Sequence, residues 1–311
     1  MPYKKRKPLS SMKIIHFRPN DRFGLIPMNR HLLTLSMLLL CLSMALSGCY
    51  TTMPISNNNG TVLSLATFNM RCDVPEDDST NNWSARRPRI AHYIDSTAID
   101  VVATQELVGN QDSTLLASLP QYSEVRAADG VNAIFYRTSQ IEVLRHGCFS
   151  LSECPDSIGK KGWDAAFPRL ALWAVMRHRA TGKQFVVLNT HLDHIGGINR
   201  IEGAKLIAKR LKKIAGKLPV AVTGDFNADD TSEAYTTLTA SGLLDAYKVA
   251  QHTTGVPYSW HNYGRLPMAQ RSRIDFVLVS KGVTVWRCHI PQEIPGAMLS
   301  DHSPLTATLK L

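Results

Sequence analysis

Residues 219–227 read PVAVTGDFN, and no other stretch constrains the fold of this chain as tightly. Its first part, after Pro219, is a short apolar run behind a basic amphipathic segment. It is too short for a helix and reads as a buried strand. Gly224 lets the backbone turn without a Cβ. Asp225 and Asn227 then follow with one residue between them. A carboxylate and an amide so spaced at a strand end can face one cleft, the first to hold a hard cation, the second to donate to an anion. The same letters also describe a plain strand ending in a polar turn. What separates the two readings is whether other strands end in the same way.

They do. Val62–Asn69 (VLSLATFN) is apolar and β-rich, with Asn69 at its end and Arg71 two residues on, on the same side if the extended period holds. Residues 101–106 form a second buried strand ending in Gln105-Glu106, a glutamate that is costly in a closed core unless paired or bound to a metal. A salt bridge to Arg71 or Arg86 is its structural alternative. The strand at 184–190 runs into THLDHIGG, which carries His191, Asp193 and His194. These three suggest zinc, but no cysteine or HExxH ligand set accompanies them, and a hydrogen-bond and phosphate role for His191 is the better reading. A further strand at 273–280 has Asp275 near its start, and SDHSP, with Asp301 and His302, precedes the last strand.

Between these lie the elements that would hold them. Trp83, Arg86 and Ile90 recur at helical intervals, with Ser84 as N-cap and Pro88 in the first turn. A short helix is expected at 111–119, an amphipathic one at 201–211 and a third at 232–240 behind a Thr231 or Ser232 cap. Strands at 132–137 and 141–149 look adjacent around the turn 138–140, and 169–177 with 184–190 forms a hairpin. Residues 283–288 are expected to pair with 273–280 around Lys281-Gly282. The irregular stretch 152–167 contains Trp163 among charged and aromatic groups that could line a cleft, and a loop at 259–262 contains His261.

The chain has 311 residues with 35 Lys+Arg against 25 Asp+Glu, yet the excess is local. Residues 1–48 hold 8 basic and one acidic residue, leaving 27 against 24 in the remainder. Bulk charge therefore gives little support to a nucleic-acid binder, although nucleic acid stays open as a substrate. Residues 32–46 are an apolar run behind Arg30, closed by Leu46-Ser47-Gly48-Cys49. That is an export signal, too short to span a bilayer comfortably, and LSGC resembles a bacterial lipoprotein signal with Cys49 lipidated. A plain secretory signal and a membrane anchor are the alternatives. The expected organisation is leader and signal at 1–48, a tether at 49–60 and one catalytic domain at 61–311, in a monomer on the periplasmic face of the outer membrane if the cell is Gram-negative. Cys72, Cys148, Cys154 and Cys288 remain in that domain, where disulfides can persist in an exported chain and Cys148 could bridge Cys154.

With three or four carboxylates at strand ends, Mg²⁺ or Mn²⁺ is the natural cofactor, since hard cations want oxygen donors. Histidines beside it are poised for proton transfer or for donating to phosphate. Taken in order, TFNMR, NNWSARRP, QE, THLDH, GDFNA, RIDF and SDHSP resemble the motifs of the endonuclease/exonuclease/phosphatase superfamily, related in fold to deoxyribonuclease I. The resemblance covers about residues 62–309 and implies an α+β fold, a four-layer α/β/β/α sandwich with two mixed sheets face to face. It implies that Glu106 is the principal metal ligand, helped by Asn69 and Asp301. Asp225 would orient or deprotonate the attacking water, Asn227 would position water and phosphate, Asp275 would pair with His302, and His191 and His302 would contact the phosphoryl oxygens. Arg71, Trp83, Arg86, Trp163, Arg169, Asp193, His194 and His261 are expected to help bind substrate. The small exported bacterial branch that this chain looks like carries a glutamate shortly before the IFYR strand; here Gly130 stands in that place and Asp129 is the nearest acid. The function implied is a divalent-metal-dependent phosphoester hydrolase, expected to act on diesters. A deoxyribonuclease and a non-catalytic lipoprotein that binds a phosphate ligand are the alternatives.

Overall fold

The strand expected at the start of the domain forms as β1 (Val62–Asn69), and it lies at the centre of a seven-stranded sheet. A computed structural model describes residues 60–311; the apolar run at 32–46, Cys49 and the tether up to residue 59 lie outside the described residues. β1 runs parallel to β2 (Val101–Gln105), which continues antiparallel to β4 (Ala133–Arg137) and then β3 (Tyr122–Arg126). On its other side stand the antiparallel β13 (Leu305–Lys310), then β12 (Thr284–Ile290) and the edge strand β10 (His252–Gly255). The second sheet has the order β5 (Ile141–Ser150), β6 (Leu170–His178), β7 (Gln184–His191), β8 (Val220–Asp225), β11 (Asp275–Ser280), β9 (Leu243–Asp245).

Three apolar cores account for the layering. The central one lies between the sheets and includes Leu63, Leu65, Val187, Val277 and Leu309 among its buried side chains. A second packs the outer face of the second sheet against α3 (Gly197–Ala215) and α4 (Glu233–Ala240), through Ile207, Leu211, Leu238 and Phe276. The third packs β1 and β2 against α1 (Trp83–Ser96) and α2 (Gln111–Ser118), through Phe68, Ile90, Ile94 and Leu115. Helix, sheet, sheet and helix make the expected α+β sandwich, because each sheet has two apolar faces to cover.

Several local expectations are corrected. The short links after β4 and after β11 do not make hairpins: β5 and β12 each leave for the opposite sheet. Helix α1 starts two residues earlier than a Ser84 cap allows, because Asn82 Oδ1 accepts from the Ala85 N–H; Pro88 consequently lies beyond the first turn. Gly224 is not at a turn. It sits inside β8, where a Cβ would come within 2.0 Å of the Thr190 carbonyl oxygen on β7. All four cysteines of the described residues are free thiols, so Cys148 and Cys154 do not bridge. No helix among the described residues is long and apolar enough to cross a membrane.

Candidate active site

The parallel pairs β1–β2 and β7–β8, and β11 antiparallel beside β8, come together at one rim. His191, Asp225 and Asp275 stand in register on β7, β8 and β11, and Asn69 stands opposite Gln105 on β1 and β2, with Glu106 next. Beneath the rim Gln105 Nε2 donates to Asn189 Oδ1 at 2.7 Å, and Asn189 Nδ2 donates to the Thr104 carbonyl at 2.8 Å, tying one sheet to the other. Buried amides left unpaired would each cost about 1–3 kcal/mol, so this cross-link favours one juxtaposition of the sheets. Arg71, Glu106 and Asn227, all just past strand ends, have φ of 54°, 65° and 49°. For residues with a Cβ this left-handed backbone costs of order 1 kcal/mol each, and such strain gathers at functional sites.

Asp225 Oδ2 is the meeting point. It accepts from Asn69 Nδ2 at 2.9 Å and lies 3.6 Å from His191 Nε2 and 3.9 Å from His302 Nε2. The other Asn69 N–H donates to Glu106 Oε1 at 2.9 Å, while Glu106 Oε2 accepts from the Cys72 N–H at 3.1 Å. His302 Nδ1 donates to Asp275 Oδ2 at 2.8 Å. Two sets of donor atoms, Glu106–His191–Asp225 and Asp225–Asp275–His302, each fall within 4.8 Å of one another. Asp301 belongs to neither set; its Oδ2 is 3.9 Å from Arg71 Nε, and it lies close enough to Glu106 for each to feel the other's charge.

The charges are pushed apart. Burial alone would raise the Glu106 carboxyl, but the imidazoles and the Asn69 and Cys72 hydrogen bonds outweigh it and bring the group down to about 2. Burial first, and then the Arg169 guanidinium, push His191 down to about 4, so near neutral pH it is an uncharged imidazole. The cation beside Glu106 is therefore His302, which burial would lower but which Asp275, Asp225 and Asp301 hold well above the ordinary histidine value. Asp225 is raised, by burial and then by Asp275. An ionised acid, a carboxyl with heightened proton affinity and an imidazolium thus share one cleft. Four buried polar atoms of this region, Arg71 Nε, His191 Nδ1, His261 Nε2 and Asp275 Oδ1, have no hydrogen-bond partner among the described residues. Native proteins leave few such atoms, and carboxylates so gathered fit a divalent cation.

Residues 66–302 match the Endonuclease/Exonuclease/phosphatase family. The chain belongs to this family. An endonuclease/exonuclease/phosphatase from Bacteroides vulgatus is 44% identical with a TM-score of 0.78, over 81% of this chain and 99% of that one. The mannosyl-6-phosphatase of Bacteroides thetaiotaomicron is 31% identical with a TM-score of 0.73, over 79% and 99%. Nocturnin of Drosophila melanogaster is 26% identical over 194 residues, which span 56% of this chain but only 28% of the Nocturnin length. The acidic and histidine clusters in this family fold make the chain a metal-dependent phosphoester hydrolase.

Within the family framework, several candidate residues take other places than the sequence suggests. Trp83 is 4% exposed, donates from Nε1 to Thr114 Oγ1 at 2.9 Å, and belongs to the core under α1. Arg86 is fully buried and donates to the carbonyls of Met70, Arg71, Asn81 and Leu299. It fastens the segments that carry Arg71 and Asp301 and presents nothing to a substrate. Asp193 is likewise sealed, accepting from Arg169 Nε at 3.1 Å and from the N–H groups of Ala166, Phe167, Ile195 and Gly196. Asn69 turns its oxygen to the Arg71 N–H at 3.0 Å, so its amide hydrogens, not a ligand oxygen, face Glu106 and Asp225. Both side-chain N–H groups of Asn227 are also committed, one to His191 Nε2 at 2.9 Å and one to the Leu192 carbonyl at 2.9 Å. Asn227 thereby fixes the His191 tautomer with its proton on Nδ1.

No carboxylate among the described residues accepts from that Nδ1; Asp129, beside Gly130, instead accepts from the Val131 N–H at 3.0 Å. His261 is buried beside His302, with Nδ1 accepting from the Gly264 N–H at 3.1 Å, and burial first, then His302, push it down to about 4. Arg169 donates to His194 Nδ1 at 3.1 Å, and Trp163 is half-buried in the loop before it. The sequence reading missed Ser259, whose Oγ accepts from the N–H groups of Ile274 and Asp275 at 3.1 Å and so sets the start of β11. A serine in a loop carries no pattern. It missed Asn189 too, although a buried amide in the otherwise apolar β7 was a visible signal.

Proposed function

We propose that this chain hydrolyses phosphoesters by attack of a water whose proton passes to Asp225, with Glu106 as the acid that holds Mg²⁺ or Mn²⁺. The observation that carries this reading is the position of Asp225 Oδ2 between Asn69, His191 and His302. When bound, the cation supplies Lewis-acid polarisation of a phosphoryl oxygen. The raised Asp225 carboxyl is the better proton acceptor of the two acids, and the depressed Glu106 stays ionised. His302 keeps its proton through Asp275 and donates from Nε2 to the charge that gathers on phosphoryl oxygens. His191 stays a neutral imidazole with its ring held by Asn227, and its Nε2 edge stands 3.6 Å from Asp225 Oδ2. Asp301 acts beside Glu106, and Arg71 offers positive charge to the same cleft.

Diesters are the expected substrate class. The likeness to a mannosyl-6-phosphatase favours a second reading, a monoesterase. Hydrolysis of bis-p-nitrophenyl phosphate and p-nitrophenyl phosphate, with Mg²⁺ and with EDTA, separates the two and tests metal dependence. Glu106→Ala, Asp225→Ala and His302→Ala should each lose at least about 100-fold in kcat/KM; undiminished rates in these variants would contradict the site.

The LSGC sequence at residues 46–49 supports placement of the enzyme in a bacterial cell envelope, tethered by a lipid on Cys49, within the exported lipoprotein branch of the family. Radiolabelled palmitate should enter the full-length chain in cells and fail to enter Cys49→Ala. Equal labelling of both would remove the anchor.

A further inference from the structure

Beside the site stands an aromatic platform that the hydrolytic chemistry does not use. Phe167 is 58% exposed, and its ring stacks on His194 at a centroid distance of 5.7 Å with an interplanar angle of 21°. Lone exposed apolar residues are ordinary, but Ile195 at 68% and Ile198 at 56% exposure stand on the adjoining turn, so this is a patch. The patch is also rigidly built. The N–H groups of Phe167 and Ile195 converge on the one Asp193 carboxylate. Asp164 accepts from the N–H groups of Ile198 and Asn199, closing the preceding loop against the start of α3. A Cβ on Gly196 would meet the Asp164 carbonyl oxygen at 2.9 Å and Ala165 Cα at 3.0 Å, so these two segments are packed backbone to backbone. His194 is fixed in turn by the Arg169 guanidinium, which lies near enough to His191 for its charge to be felt there.

A ring held flat, exposed and next to the phosphate-handling groups is an unusual use of an aromatic side chain, unless something covers it. We infer that the Phe167–His194 platform stacks against a ring in the alcohol portion of the phosphoester, a nucleobase or a pyranose, and so selects ring-bearing substrates over acyclic ones. This rests on the hydrolase reading above. Arg169 would face the phosphate side of the same substrate, since it joins the platform to His191. A nucleobase offers a flat π-face and a pyranose its apolar C–H face to an aromatic surface, and one experiment tells them apart.

The probes are adenosine 5′-phosphate, mannose 6-phosphate and glycerol 3-phosphate, each as monoester and as methyl diester, with the full chain and its Phe167→Leu and Phe167→Tyr variants. Leucine keeps the apolar bulk and removes the flat face; tyrosine keeps it. Phe167→Leu should lower kcat/KM about tenfold more on one ring-bearing probe than on the glycerol ester, through KM, and Phe167→Tyr should restore it. The probe that suffers identifies the ring. Calorimetric binding of the same probes in EDTA supplies a readout that needs no turnover. Equal losses on ring and glycerol probes, or none on either, would overturn the platform while leaving hydrolysis intact. Ring binding that depends on Phe167, with no metal-dependent turnover of any ester, would uphold the platform and sink the hydrolase.

Discussion

Asp193 and Asp225 are both buried aspartates at the ends of neighbouring parallel strands, and their electrical situations are opposite. Asp193 accepts from five donors, four backbone N–H groups and the Arg169 side chain. Burial would raise it, but these bonds hold it well below the usual carboxylate range. Among the described residues Asp225 accepts from only two, the Asn227 N–H at 2.8 Å and Asn69 Nδ2 at 2.9 Å, with Asp275 alongside on β11. Burial and that neighbouring acid leave it raised. A saturated carboxylate is a fastener, and one short of donors is a site waiting for a proton or a cation. Residue type and burial do not distinguish them; the count of donors does.

The comparison breaks first on activity. Asp225→Asn keeps the shape of the side chain and removes its basicity, so kcat should fall about 10³-fold with the fold retained. Circular dichroism together with steady-state hydrolysis of the better nitrophenyl ester checks both halves. A loss below tenfold would return Asp225 to the ordinary structural acids.

Asp193→Asn should act the other way, through stability. It leaves the Arg169 guanidinium without its buried partner and cannot accept from all five donors, at a cost of about 3 kcal/mol. Urea unfolding measures this. The loss should be accompanied by a raised KM, because Arg169 and His194 lose their anchor, with kcat less affected. A variant as stable as the parent would mean that the five hydrogen bonds do not hold this turn.

How much of this was legible beforehand follows from what leaves a trace in sequence. Acids and histidines at the ends of apolar strands stand out because burying them is costly, so Glu106, Asp225, Asp275 and His302 were visible one by one. Their meeting at one rim was an expectation of the family resemblance, and the register of β7, β8 and β11 is what realises it. Strand partners were less visible. The links after β4 and β11 have hairpin lengths, yet both cross between sheets, because pairing depends on the distant faces that β5 and β12 cover. The buried Arg86 looked like a substrate-binding cation because sequence shows a charge but not the four carbonyls around it. The loop at 152–167 was expected to bring aromatic groups to a cleft, but the stack of Phe167 on His194 was not visible, since an exposed ring in a loop follows no period.

The smallest effect gives the sharpest form of the contrast, and it is the pH dependence of stability in EDTA. Asp193 has a folded value below its ordinary 3.8, so the stability it contributes is present above that value and is lost as pH falls through the depressed one. Asp225 has a folded value above 3.8; its contribution is present at low pH and is lost as pH rises through the raised one. Relative to the parent, Asp193→Asn should therefore lose ground as pH rises from strongly acid conditions, while Asp225→Asn should gain it. Each trend is bounded at about 1.4 kcal/mol per pH unit, because one proton is involved. Fixed costs, such as a hydrogen bond the asparagine cannot make, shift either curve bodily and leave its slope alone. Parallel slopes for the two variants would show that the folded protein treats these carboxylates alike, and the distinction between fastener and site would have to rest on something other than their donors.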